Sequence, residues 1–250
     1  MKYSASGIYS NWSNSIANLI AVKNDARVGS GSGFLVNGKL VTCAHVVAIP
    51  AGVSLFVEFQ NPSGNGECDM QFLGHSSEHS YDYAILEVPH LVNLGPSLEL
   101  TDRIPVPGEP VCALGYPFDD PQLTIHQGII SAVYKSGVAT MLKLDMSVNA
   151  SNSGGPLISM LDGKVVGVVA RKATGLTAAF DDLIKSFEAN AQVLEKGSGG
   201  VFIAGISPNA MLAQTQRQMK HVSEQIKRSA NVGIGYAISV DKLFQENALN

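Results

Sequence analysis

The chain has 250 residues, 45% of them hydrophobic and only 15% charged, with 25 glycines and 11 prolines. That balance excludes a disordered tail, a coiled coil or a highly charged scaffold, and it implies many turns around one large all-β domain or two packed modules. Seventeen Lys and Arg against 21 Asp and Glu leave a formal charge of −4 with no basic run, so the electrostatic footprint of a nucleic-acid partner is missing.

The opening MKYSASGIYSNWSNS follows its one lysine with polar residues, unlike the positive and then continuously apolar regions of a secretory signal. The longest apolar run, Val165 to Ala170, is far shorter than the ~20 residues that cross a bilayer. Cys43, Cys68 and Cys112 are irregularly spaced without a CxxC pair, so neither a disulfide framework nor a zinc knuckle is expected. A cytoplasmic protein with no membrane partner is the expectation.

From about residue 16 to 175 the chain reads as short strands rich in Val, Ile, Leu and Phe, among them ANLIAV, GFLV, KLVTCAHVV, VSLFVEF, YAILEV, VCALGY, GIISAVY, MLKLDM and KVVGVVA. Asn37-Gly38 and Asp162-Gly163 are dipeptides that supply the positive φ of tight hairpin turns. The proline-rich seam Thr101 to Pro110 is the predicted boundary between two β modules. The texture then changes. AAFDDLIKSFEANAQVLEK spaces Phe180, Leu183, Ile184, Phe187 and Leu194 as an amphipathic helix does. Ser207-Pro208 opens a second helix with an N-cap and a proline at its first position. Its Met211, Thr215, Met219, Val222 and Ile226 form one face, predicted to pack against a neighbour. After Asn231 the strand-like GIGYAISV returns, and DKLFQENAL closes the chain as a short helix.

Three segments place a reactive group in a strand or glycine context: Val41-Thr42-Cys43-Ala44-His45-Val46, Tyr81-Asp82-Tyr83-Ala84 and Asn152-Ser153-Gly154-Gly155-Pro156. Singly they are weak, since a lone histidine is more often structural and an aspartate before a strand is usually a turn residue. In this order they supply what hydrolysis needs: a nucleophile, a base to take its proton and a carboxylate to orient the base.

With GSGFLVNGKLVTCAHVV, DYAILEV, GYPFDDPQLTIHQGIISAV, NASNSGGPL and GIGYAIS in sequence, the chain resembles the chymotrypsin-like serine peptidases, within them the HtrA/Deg-type. The resemblance covers about residues 30–172 and 231–240. It implies an all-β protein of two six-stranded antiparallel barrels, residues 1–104 carrying His45 and Asp82 and residues 105–250 carrying Ser153. It implies Ser153 as nucleophile, His45 as general base and then acid, and Asp82 as the group that holds the imidazole. The backbone N–H groups of Ser151 and Ser153 would form the oxyanion hole. The expected partner is a protein or peptide substrate, and no cofactor or metal is implied. Cys68, His75 and His79 lack a fourth ligand and read as surface or turn residues. The alternative is a catalytically silent peptide-binding module of the same fold.

Departures from the family pattern matter. Ser151 stands where the family has glycine, and a Cβ resists positive φ. Two readings stay open: a hole that closes only on binding, or a serine accommodated there. Asn152 replaces the aspartate that pairs with a newly cut N-terminus in digestive relatives, so activation by N-terminal cleavage is not expected. Ser147, where trypsin-type enzymes carry an acidic group, argues against a basic preference. Ser147 and Val148 suit a small or apolar substrate side chain, while Ala170, Arg171 and Lys172 are expected to flank the substrate. About sixty residues intervene where the family has a short loop at the specificity pocket. The helical insertion, about residues 177–229, is therefore expected at the pocket's rim, as a lid, a docking surface for a regulatory partner or an allosteric lever. The PDZ domain that usually follows in HtrA-type proteins is not expected.

Overall fold

The computed structural model describes residues 3–61, 65–67, 71–77, 80–87, 95–117, 120–170, 175–197, 202, 205, 207–229 and 233–249. The chain divides into two compact units, residues 1–171 with 232–250, and residues 172–231. Among the described residues no helix is long and apolar enough to cross a membrane.

The first unit opens with α1 (Ala5–Trp12) and continues through β1 (Ile16–Lys23), β2 (Ala26–Val36), β3 (Lys39–Thr42), the one-turn α2 (Ala44–Val47), β4 (Ser54–Glu58), β5 (Gly66–Glu67), β6 (Gln71–His75) and β7 (Ala84–Glu87). These strands form a seven-stranded sheet in the order β5-β4-β1-β2-β3-β7-β6. Then come β8 (Pro110–Gly115), β9 (Thr124–Ser136), β10 (Ala139–Asp145), β11 (Pro156–Ser159), β12 (Val165–Val169) and β13 (Gly235–Ser239). They close into a six-stranded barrel in the order β10-β13-β12-β11-β8-β9. The second barrel is thus as expected. The first half differs in strand number and is an open sheet among the described residues. Its extra member β5 has two residues, Glu67 opposite Phe56 and Gly66 opposite Val57, too short to show a period in the sequence.

Period-two alternation sorts the side chains into three apolar layers. Leu35 of β2, Leu40 of β3 and Ala84 and Leu86 of β7 fill the first sheet's interior. Val111 and Ala113 of β8, Leu142 and Leu144 of β10 and Leu157 of β11 fill the barrel. Their neighbours on the opposite faces, Phe34, Val41, Ile85, Cys112, Leu114, Met141 and Ile158, belong to a third cluster shared by both halves. Phe34, Ile85, Leu114 and Met141 are completely buried. At about 1.5–3 kcal/mol for each such side chain, this layer fixes the two halves together.

The chain ends cross over. Ser4 caps α1 by accepting from Gly7 N at 3.1 Å, and Tyr3 N donates to Met160 O of the barrel half at 3.2 Å. The expected C-terminal helix is instead two 3-10 turns, Leu243–Gln245 and Asn247–Leu249, because Glu246 between them is extended. The Glu246 carboxylate accepts from the Tyr83 hydroxyl, and Asn37 Nδ2 donates to Leu249 O at 2.6 Å. Both partners belong to the first sheet's half of the chain.

Asn37 and Gly38 both have positive φ, as expected, but in the second dipeptide only Gly163 does. Ser159 N bonds to Lys164 O, which makes that connection a longer loop. Asn24 and Asp25, with φ of 50° and 60°, form a tight turn between β1 and β2 that lacks the glycine by which such turns are recognised.

The seam before β8 is anchored by a charge cluster. Arg103 grips the buried Glu109 with two hydrogen bonds of 2.7 and 2.9 Å, and Ser159 Oγ adds a third at 2.6 Å. Burial pushes the Glu109 carboxyl up, but hydrogen bonds from Arg103, Ser159 and Val106 N, with the charge of Arg103, hold it below the ordinary carboxylate range. The stability this contributes is complete above the unfolded-state pKa and is lost as pH falls through the lower folded value. Arg103→Ala is expected to cost about 2–3 kcal/mol at pH 7 by leaving the carboxylate unpaired. In thermal melts the gap from wild type should narrow as pH is lowered from 6 toward 3. A gap independent of pH would remove Glu109 as its cause.

The second unit is a helical hairpin, α3 (Gly175–Lys196) and α4 (Pro208–Ser229). Arg217 pairs with Glu195, Lys220 with Glu188 and Lys227 with Asp181, a descending register that makes the helices antiparallel. Ala210 N donates to Ser207 Oγ at 3.3 Å, the expected cap. Within the hairpin the α4 stripe is not the packed face, since Met211, Met219, Val222 and Ile226 are 59%, 48%, 50% and 47% exposed. Among the described residues of α4, Ala213 and Ser223 are buried; the small side chains and the ion pairs, rather than the apolar stripe, make the interhelical seam.

Candidate active site

Strand β3 leads through Cys43 into α2, which carries His45, and Asp82 lies just ahead of β7. The two meet twice: His45 Nδ1 is 2.7 Å from Asp82 Oδ2, and His45 N donates to Oδ1 at 3.0 Å. Asp82 is buried and His45 half-buried. With Nδ1–H donating to the carboxylate, the lone pair is left on Nε2, the tautomer a general base requires.

Asp82 has φ +45° and Ser151 φ +73°. Among the described residues the other non-glycine positions at positive φ are the turn residues Asn24, Asp25 and Asn37. Left-handed backbone at a residue other than glycine or asparagine is costly and concentrates at working sites.

The loop before β11 is pinned on both sides. Gly154 N donates to Val169 O at 2.7 Å, Val169 N to Gly155 O at 2.8 Å, and Ser32 N to Ser153 O at 2.8 Å. A Cβ on Gly154, whose φ is +89°, would lie 2.1 Å from Ser32 O, and one on Gly155 would lie 2.2 Å from Leu114 O. The double glycine lets this loop sink between β2 and β8, where side chains would collide with backbone.

His45, Ser151 and Ser153 line one cleft of about 370 Å³, walled on the first sheet's side by Leu19, Val46, Ile49, Val53 and Leu55. Through the His45 contact, Asp82 stands behind the same cleft. Ser147 Oγ accepts from Gly233 N at 3.2 Å. Val148 packs among the barrel's interior residues and Ala170 in the layer between the halves, so neither lines this cleft. Arg171, Lys172, Cys68 and His79 lie outside the described residues, and His75 is exposed at the end of β6.

Asn152 is buried and its Nδ2 lies 3.4 Å from His126 Nε2. Burial lowers the His126 pKa, which favours the neutral ring beside that amide. The donor atoms of Cys43, His45 and Asp82 fall within 4.8 Å of one another, a spacing a metal ion requires. However, Cys43 donates its thiol to Val169 O, and burial, then the Asp82 charge, push its pKa well up. The thiolate that would ligate a metal is disfavoured.

Two residues were not foreseen. Ser30 Oγ is 2.5 Å from Ser151 Oγ, and Ser32 Oγ donates to Ser151 O at 2.7 Å. Their only signal in the sequence is a pair of serines alternating with glycines before GFLV.

A closed antiparallel barrel joined to a second sheet, with a histidine–aspartate pair and a serine at one cleft, defines the chymotrypsin-like class. The chain belongs to the trypsin-like peptidase family, whose model, described as the trypsin-like peptidase domain, matches residues 31–168, more than half of it. It is 32% identical over 226 residues to serine protease HTRA1 of Xenopus laevis, covering 82% of this chain and 45% of that protein. Among solved structures it is similar to the serine endoprotease of Yersinia pestis, at 27% identity and a TM-score of 0.55, covering 69% of this chain and 59% of that one. It shares the fold of the HtrA-type protease AlgW, at 23% identity and a TM-score of 0.59, over 97% of this chain and 61% of that one. The chain spans less than half the length of the curated relatives it matches first.

Proposed function

We propose that the protein is a serine endopeptidase that cleaves peptide bonds through an acyl-enzyme. Ser153 Oγ attacks the carbonyl carbon while His45 Nε2 takes its proton, and Asp82 stabilises the imidazolium that results. His45 then returns the proton to the leaving amine, and water repeats the sequence on the acyl-enzyme. The N–H groups of Ser153 and Ser151 stabilise the oxyanion, each worth about 3–4 kcal/mol. The observation that carries this reading is the doubly bonded His45–Asp82 pair at the cleft that Ser153 also lines. The chain beyond the scissile bond leaves past His45, and the apolar wall there suits an apolar side chain.

A fluorophosphonate probe tests the reading, with a single adduct expected on Ser153 by peptide mass mapping. No adduct at any pH from 6 to 9, with peptide still bound, would establish the silent binding module instead.

The insertion gates this activity in our reading. The chain enters it just beyond β12, whose Val169 holds Gly154 and Gly155, and returns through Gly233, which bonds to Ser147. The two ends of the insertion are thus joined by short stretches of chain to Val169, which supports the nucleophile loop, and to Gly233, which holds Ser147 ahead of it. Replacing residues 177–229 by a short linker should change turnover or substrate choice more than it changes the melting of the β unit. Unchanged kinetics in a folded deletion variant would reduce the hairpin to a passive appendage.

A further inference from the structure

Serine is a poor residue for the conformation found at position 151. Its Cβ crowds the backbone when φ is +73°. Asn152 N bonds to Asn149 O at 3.3 Å, which closes a four-residue turn with Ser151 in its third place. A positive φ there selects the type II form, whereas the competing type I form, which any residue adopts, turns the Ala150–Ser151 peptide over. The two forms point the Ser151 N–H to opposite sides.

What selects the form lies on β2. Ser30 and Ser32 are two residues apart on one strand and project to the same face. The Ser30 and Ser151 hydroxyls share a 2.5 Å hydrogen bond, which holds the side chain. Ser32 Oγ donates to Ser151 O at 2.7 Å and accepts from Tyr116 N at 3.0 Å, which holds the carbonyl. The strand beneath is itself fixed, since Thr42 Oγ1 donates to Ser32 O at 2.7 Å.

We infer that Ser30 is a positioning residue for the oxyanion hole, its hydroxyl clamping Ser151 in the left-handed conformation that a glycine adopts unaided. This rests on the reading above, in which Ser151 N and Ser153 N form the hole. In this role Ser30 acts through Ser151, so the requirement for its hydroxyl depends on what occupies position 151.

That dependence supplies the test. Wild type, Ser30→Ala, Ser30→Thr and the double variant Ser30→Ala/Ser151→Gly are compared by the rate of fluorophosphonate labelling and by casein hydrolysis. Losing one hydrogen bond that selects the turn should slow Ser30→Ala about 10-fold in kcat with KM within about twofold. Ser30→Thr retains the hydroxyl and most of the rate, and the double variant regains it, because glycine needs no clamp. A Ser30→Ala rate within twofold of wild type, or a loss that Ser151→Gly does not repair, overturns the inference. A crystal structure of Ser30→Ala judges it without catalysis: Ser151 is expected at negative φ, and φ unchanged near its present value counts against the clamp. If wild type labels no faster than Ser153→Ala, the peptidase reading fails, whereas the structural result on Ser151 still decides whether the clamp exists.

Discussion

Ser153→Ala is expected to lower kcat/KM by about a million-fold while leaving the melting temperature nearly unchanged. Loss of a nucleophile in a triad removes the covalent route altogether, and what survives is the smaller acceleration from binding and the oxyanion hole. The fold should tolerate the change because Ser153 supports it through backbone, its carbonyl accepting from Ser32 N. The difficult neighbours, Gly154 and Gly155, are untouched. Activity is measured on protein purified in parallel with the wild type, with fluorophosphonate labelling as the second readout. Hydrolysis within tenfold of wild type by a homogeneous Ser153→Ala preparation would assign the chemistry to another group.

Asp82→Asn is expected to cost about ten thousand-fold in kcat with little change in KM. The present carboxylate accepts twice from one residue, from the His45 ring and from the His45 backbone. An amide in the same place offers only one acceptor atom. If its oxygen stays on the backbone N–H, its NH2 faces Nδ1, and the ring must present a lone pair there and carry its proton on Nε2. That tautomer cannot take the proton of Ser153, and a comparable change in a serine peptidase triad costs about 10⁴-fold. Labelling by fluorophosphonate should slow in parallel, since it needs the same base. A variant that loses KM instead of kcat would make Asp82 a substrate-binding residue.

The features legible in the sequence have a local or periodic signature. The short apolar runs VCALGY and MLKLDM point to strands, found as β8 and β10, and Ser207-Pro208 points to a helix start that the cap hydrogen bond bears out. His45, Asp82 and Ser153 stand out through order and resemblance, and the structure brings His45 to Asp82 and lines one cleft with His45 and Ser153. The features that escaped are made by tertiary contact. Ser30 and Ser151 are 121 residues apart, and no short-range pattern reports such a pair. Sequence also left open whether Ser151 accepts positive φ, which depends on hydrogen bonds from a distant strand. The spacing of the α4 stripe reports amphipathicity, whereas the seam within the hairpin is made by charge pairs and small residues. The two 3-10 turns at the C-terminus follow from Glu246 reaching Tyr83 rather than from helix propensity.

The antiparallel hairpin also bears on how the barrel closes. Strands β12 and β13 are adjacent, with Val168 opposite Ile238, yet the chain between them includes residues 172–231. Were that segment unstructured, joining the strands would carry the entropy of a loop many times longer than a tight connection, a difference of about 2 kcal/mol. The Lys227–Asp181 pair draws the ends of the segment together. Once folded, the hairpin holds its own two ends near one another, so a long stretch of sequence between β12 and β13 carries little of the usual entropic cost of a loop.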